Sequence, residues 1–276
     1  MELEELEGVA RQIRADILNM VHRAGSGHPG GSLSAVEILT ALYFTDIMRV
    51  SAASPDDPMR DRFILSKGHG APVLYSTLCR KGFFDAKHLD GLRKLGSMLQ
   101  GHPNADHMPG LDCSSGSLGQ GLSIANGIAL GFKKQGIDHR VYCLLGDGEL
   151  QEGQIWEAAL TAAQHNLSNV CAIVDNNHVQ LDGRTRDIKV MEPLADKWRA
   201  FGWNVLEVDG HSLCELYNAY TSAMRNNSSP TVIIAETVKG KGVSFMENQA
   251  AWHGVAPDRV QLEQALAEIM ESEVLV

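Results

Sequence analysis

Val141-Tyr142-Cys143-Leu144-Leu145-Gly146-Asp147-Gly148-Glu149 decides the fold. Residues 141–145 form an apolar run of strand length, and an alanine-rich helical stretch, Gly153 to Gln164, follows. A strand apolar at nearly every position has no water-facing side, so it belongs inside a sheet covered on both faces. Asp-Gly alone is a common hairpin signal. Here a helix follows instead of a partner strand, which sets Asp147 at a strand end, close to helix amides that attract anions. Gly146 and Gly148 would let the backbone approach a ligand closely.

The pattern recurs along the chain. Val170–Val174 is a second apolar strand, ending in Val174-Asp175-Asn176-Asn177-His178-Val179. Arg62–Leu65, Trp203–Val208 and Thr231–Ala235 read as further strands, the last leading into a loop at Lys239–Gly242. Helical spacing is found from Leu3 to about His22, Ala71 to Arg80, Ala86 to Lys94, Gly121 to Lys134, Pro193 to Phe201 and Pro257 to about Ser272. Gly127 and Gly131 in the fourth of these are small residues that would allow close packing. Ser34 with Glu37, and Ser212 with Glu215, read as capping boxes for helices running to about Phe44 and Met224. Strands alternating with helices predict an α/β fold: a mostly parallel sheet with helices on both faces, formed by residues 1–276 as a single domain. Such sheets bind ligands beyond the carboxyl ends of their strands. Residues 96–121, rich in Gly, Ser, His and Pro, lack periodicity, and so long an irregular connection is often functional.

Composition narrows the function. Hydrophobic residues at 44% and charged residues at 21% fit an ordinary globular protein. A formal charge of −10 argues against wrapping nucleic acid. The acidic start at Glu2, Glu4, Glu5 and Glu7 is not a secretory leader, and no apolar run is long enough to span a membrane. The five cysteines show no CxxC or metal spacing, and Cys143 and Cys171 read as buried thiols, so a cytoplasmic location is expected.

Two neighbouring strand ends would bring Asp147 and Asn177 side by side. A carboxylate, an amide oxygen and a backbone carbonyl are hard ligands suited to Mg2+. Histidines sit in glycine-rich surroundings at Ser26-Gly27-His28-Pro29-Gly30, Ser66-Lys67-Gly68-His69-Gly70, Gly101-His102-Pro103 and Trp252-His253-Gly254. Each, alone, is as readily a turn residue as a functional one. Gathered around a cleft, they would bind phosphate and hydroxyls and move protons.

The Gly-Asp-Gly and Asn-Asn pair, each after an apolar strand, resembles the thiamine-diphosphate motif. SGHPG, SKGHG, GHP, SLGQG and that pair, in this order, resemble the N-terminal part of transketolase, from the first helix to His253. The resemblance implies a thiamine-diphosphate-binding fold, with Asp147 and Asn177 as metal ligands by side chain and Val179 by its carbonyl, for Mg2+ or for Ca2+ or Mn2+ in its place. It implies that His69 and His253 contact the diphosphate and serve catalysis with His28 and His102, which line the substrate channel. Gly116, Ser117 and Leu118 match the loop beside the cofactor, which Gly146, Gly148 and Glu149 also approach. Glu152 and Glu157 match acidic residues of a subunit interface and a proton link between sites, although Glu152 also reads as an ordinary first-turn carboxylate.

The resemblance covers the diphosphate-binding domain alone. It therefore implies a split enzyme, in which a separately encoded chain supplies the pyrimidine-binding and C-terminal domains, as an α2β2 assembly. Such an assembly moves a two-carbon ketol unit from a ketose phosphate to an aldose phosphate in the pentose phosphate pathway. Residues 113–121 lack the proline usual in the full-length enzyme, and Asn104 stands where glutamate is usual, which leaves substrate choice open. The alternatives are a cofactor-binding module without catalysis and a deoxyxylulose-phosphate-synthase-like subunit. An NAD-binding domain is discounted because no GxGxxG follows a first strand.

Overall fold

A computed structural model describes residues 2–271. In chain order the elements are α1 (Leu3–Ala24), α2 (Pro29–Leu33), α3 (Val36–Tyr43), β1 (Arg62–Leu65), α4 (Ala71–Arg80), α5 (Gly121–Gln135), β2 (Val141–Gly146), α6 (Gly153–Gln164) and β3 (Val170–Asn176). There follow the hairpin strands β4 (Val179–Gln180) and β5 (Gly183–Arg184), then α7 (Thr185–Ile188), α8 (Leu194–Ala200), β6 (Asn204–Asp209), α9 (Leu213–Arg225), β7 (Thr231–Glu236) and α10 (Arg259–Glu271).

Among the described residues β1, β2, β3, β7 and β6 pair in that order, all parallel, as the apolar runs predict. Side chains alternate between the two faces of a strand, and here each set meets its own core. Phe63, Leu65, Tyr142, Leu144, Ile173 and Ile233 pack with Ile17 of α1, Leu39 of α3 and Tyr220 of α9. Ile64, Cys143, Leu145, Ala172, Val174 and Ile234 pack with Ala125 of α5, Ile155 of α6 and Trp198 of α8. Burying a Leu or Ile side chain stabilises by about 1.5–3 kcal/mol, so two filled faces hold the sheet in one register. Among the described residues no helix is long and apolar enough to cross a membrane.

Several local expectations are corrected. Ser34 does not cap α3. Its hydroxyl donates to Asp175 at 2.6 Å, while Glu37 is buried against Arg14 and His211. Both side chains left local capping for partners distant in sequence. At Ser212 half of the box forms: its hydroxyl accepts from the Glu215 amide at 3.3 Å, but the Glu215 carboxylate turns to the Asp209 amide. The helix expected at Ala86–Lys94 is a 3-10 stretch over Ala86–Gly91, capped by Asp85. The terminal helix begins at Arg259, and Ser272 lies outside the described residues. Gly127 and Gly131 sit on an open side of α5, where an added Cβ would meet nothing within 4 Å. Cys143 and Cys171 are buried free thiols, as expected.

Candidate active site

Four neighbouring strands deliver residues to one cavity of about 350 Å3 at their carboxyl ends. Lys67 follows β1, Asp147 follows β2, Asn177 follows β3 and Lys239 follows β7, and all four line it. The parallel register makes this so: Gly146 stands beside Asp175, and Asn176 beside Glu236. A left-handed residue, His178 at φ 61°, turns the chain so that Val179 also reaches the cavity.

Asp147 is buried. Its Oδ1 accepts from the Gly148 amide at 2.8 Å, and its Oδ2 has no partner. Burial pushes this carboxyl up to about 6, and nearby Asp175 adds to the effect. Asn177 turns its amide NH2 to Asp175 at 3.1 Å, and its Oδ1 accepts from the Val179 amide. The Val179 carbonyl accepts from the Lys239 ammonium at 2.8 Å. An orphaned carboxylate oxygen beside an amide oxygen and a carbonyl suits a hard cation.

The sequence motifs give Lys67 and Lys239 no role. Both are buried, and the rule that ligands bind beyond strand ends would have found them. Lys67 pairs with Asp175 and donates to the Gly31 carbonyl at 2.7 Å. Lys239 also meets His253 Nδ1 at 2.9 Å, and burial brings its ammonium down to about 8. Glu149 lines the cavity, but its carboxylate is occupied by Ser66, Gly119 and the Gly146 amide. It thereby ties the 116–121 loop to the end of β2. A 3-10 turn, Gly148–Gln151, lies between Asp147 and α6, so the helix start is set back from the acid. Gly148 packs tightly on the hairpin: a Cβ there would stand 3.0 Å from the Gln180 Cβ, so the hairpin would have to shift to accept one. At Gly146 an added Cβ would make only ordinary contacts, the nearest at 3.6 Å from Lys67.

His28, His69 and His253 come together from three distant segments, with ring centroids 5.1–5.4 Å apart. Burial, with a smaller contribution from the surrounding cations, lowers them to about 4, 2 and 3. All three rings are therefore neutral at pH 7 in the ligand-free chain. Their unfolded value lies near 6.5, so the stability gained by keeping them neutral is complete above pH 6.5. It is lost as pH falls from 6.5 toward their folded values. Each ring is expected to cost roughly 1 kcal/mol at pH 5.5. Urea titrations at pH 7.5 and 5.5 check this, and His69→Gln should flatten the difference; an equal midpoint at both pH values would contradict it.

The remaining predicted residues divide. Gly116, Leu118 and Glu152 line the cavity, whereas Ser117 is exposed and outside its lining. His102 borders an adjoining groove with Arg93 and Gln100, its ring beside Gly116. Glu157 lies in a separate cleft between α5 and α6.

Fold and cavity together define an α/β domain with a cavity lined by charged side chains at its strand ends. A family model described as "Transketolase, thiamine diphosphate binding domain" matches residues 6–268. One subunit of the apulose-4-phosphate transketolase of Phocaeicola vulgatus is 42% identical, over 98% of this chain and 96% of that protein. The 6-deoxy-6-sulfo-D-fructose transketolase subunit SqwG of a Clostridium species is 43% identical, over 96% of each. The crystal structure of Campylobacter jejuni transketolase superposes with a TM-score of 0.92 at 33% identity, over 98% of this chain and 43% of that one. The chain belongs to the transketolase family, as its thiamine-diphosphate-binding domain. It spans less than half of the transketolase whose structure it matches and nearly all of the two transketolase subunits.

Proposed function

We propose that this chain is the diphosphate-binding subunit of a split transketolase, acting with a separately encoded pyrimidine-binding subunit. The reading rests on one observation above all: a single cavity joins an unsatisfied carboxylate oxygen, two buried lysines and a histidine cluster. Full-length likeness to proteins named as transketolase subunits supports the split.

Asp147, Asn177 Oδ1 and the Val179 carbonyl would hold Mg2+, which requires Lys239 to release that carbonyl. Lys67, Lys239, His69 and His253 supply donors and positive charge for a diphosphate. Thiamine diphosphate, when bound, supplies the electron sink for breaking a carbon–carbon bond. The neutral rings of His28 and His102 would donate to or accept from the oxygens of a sugar. Glu152 and Glu157 would serve contacts between subunits. A covering subunit would exclude water from the reacting carbon.

The substrate is proposed to be a ketose bearing a terminal anion, with an aldose phosphate as acceptor. The named relatives act on apulose 4-phosphate and 6-deoxy-6-sulfo-D-fructose, so those compounds belong in the assay beside xylulose 5-phosphate. The test mixes the chain with the product of a neighbouring gene, thiamine diphosphate, Mg2+, a ketose and ribose 5-phosphate. Ketol transfer only in the mixture is the expected result. Transfer by the chain alone would overturn the split. Condensation of pyruvate with glyceraldehyde 3-phosphate, releasing carbon dioxide, would move the protein to the synthase class.

A further inference from the structure

His28 is reached from outside the cavity by a side chain that no motif marks. Arg93 Nη2 lies 3.3 Å from His28 Nδ1. A guanidinium has five donors and no acceptor, so this contact is a hydrogen bond only if Nδ1 carries no proton. The single hydrogen of a neutral ring then sits on Nε2, beside Gly254. The guanidinium also lies against Gly101, where an added Cβ would stand 3.2–3.3 Å from its atoms. Gly101 precedes His102, so Arg93 sits between two of the site histidines.

The backbone at Arg93 sharpens the point. Its φ of 59° is left-handed, a region that glycine or asparagine enters at less cost. The turn is closed by the Arg93 amide donating to the Leu99 carbonyl at 2.8 Å, a bond any residue but proline would make. The backbone therefore does not call for arginine here; the contacts with His28 and Gly101 do.

We propose that Arg93 is a positioning residue that holds His28 as the Nε2–H tautomer, making it a hydrogen-bond donor to a sugar oxygen. The donor role rests on the transketolase reading, and the tautomer does not. The groups facing His28 are Arg93, His102, Lys239 and the rings of His69 and His253, and none of them is an acid. Arg93 is thus the partner that selects between the two ring nitrogens.

Nitrogen-15 NMR of the histidine rings in the ligand-free chain tests this, with His28 assigned from the spectrum of His28→Gln. At pH 7 the expected pattern is a bare Nδ1 and a protonated Nε2. In Arg93→Met the two nitrogens should move toward averaged shifts, and in Arg93→Lys, which keeps a donor, the original pattern should largely return. A protonated Nδ1 in the parent chain, or an unchanged pattern in a folded Arg93→Met chain, overturns the proposal. With the partner subunit present, Arg93→Met should lower kcat/KM for the ketose roughly tenfold, the scale on which outer partners orient a histidine. Thiamine diphosphate affinity should stay unchanged; a parallel loss of that affinity would mark general disruption of the site and also overturn it. The ring spectrum needs no substrate, so failure of the transketolase reading leaves that part of the test standing.

Discussion

Replacing Asp147 with asparagine is expected to stabilise the ligand-free chain and to abolish the metal-dependent hold on thiamine diphosphate proposed for it. The two effects share a cause. The carboxyl is buried, has one oxygen without a partner, and is pushed up to about 6. An acid whose folded value is raised destabilises the fold above that value, and the penalty vanishes below its unfolded value near 4. At pH 7.5 the ionised group therefore costs on the order of 2–3 kcal/mol. Asparagine keeps an oxygen for the Gly148 amide at 2.8 Å and carries no charge, so a gain of about 2 kcal/mol is expected. The same change removes the anion that would anchor Mg2+, and the dissociation constant for Mg2+ with thiamine diphosphate should rise by more than about a hundredfold. Thermal unfolding with and without both ligands checks the pair. A less stable variant that still gained the full ligand-induced shift would contradict the proposed metal site.

Asp175→Ala should be the most damaging single change in the described residues near the cavity, at about 4 kcal/mol. Burial alone would raise this carboxyl, but Lys67 offsets that effect and holds it below the usual range. Ser34, Thr237 and Asn177 also donate to it, at 2.6 Å for Ser34 and 3.1 Å for Asn177. Truncation strands the Lys67 ammonium in a buried place and frees Asn177 from its orientation. Urea denaturation measures the loss. A double change, Lys67→Met with Asp175→Asn, should cost less than Asp175→Ala, because no buried charge is left unpaired. A loss under about 1 kcal/mol for Asp175→Ala would show that the pair contributes little.

Much of the fold is legible in the sequence. Strand positions in residues 62–65, 141–145, 170–174, 203–208 and 231–235 follow from apolar runs too short for helices, and the parallel sheet follows from the helices between them. The placement of Asp147 and Asn177 follows in turn, because a parallel sheet gathers its strand ends on one edge. Local signals failed where a distant partner competed. Ser34 and Glu37 have the spacing of a capping box, yet a buried Asp175 and a buried Arg14 offered stronger bonds than a helix terminus does. Glu149 lines the cavity and is also a brace, since Ser66, Gly119 and the Gly146 amide all donate to its carboxylate.

The sequence by itself determined the class of fold, the edge of the sheet on which chemistry sits and the residue types at that edge. These are carried by periodicity and by motifs within a few residues of a strand end, where chain geometry leaves little freedom. Only the tertiary structure decided which charges are neutralised and which rings meet. His28, His69 and His253 lie on three segments, as do Lys67, Asp175 and Thr237. Their pairing follows from how two filled cores dock helices onto opposite faces of the sheet. The cost of burying charge then fixes the partners, and so the protonation of the site.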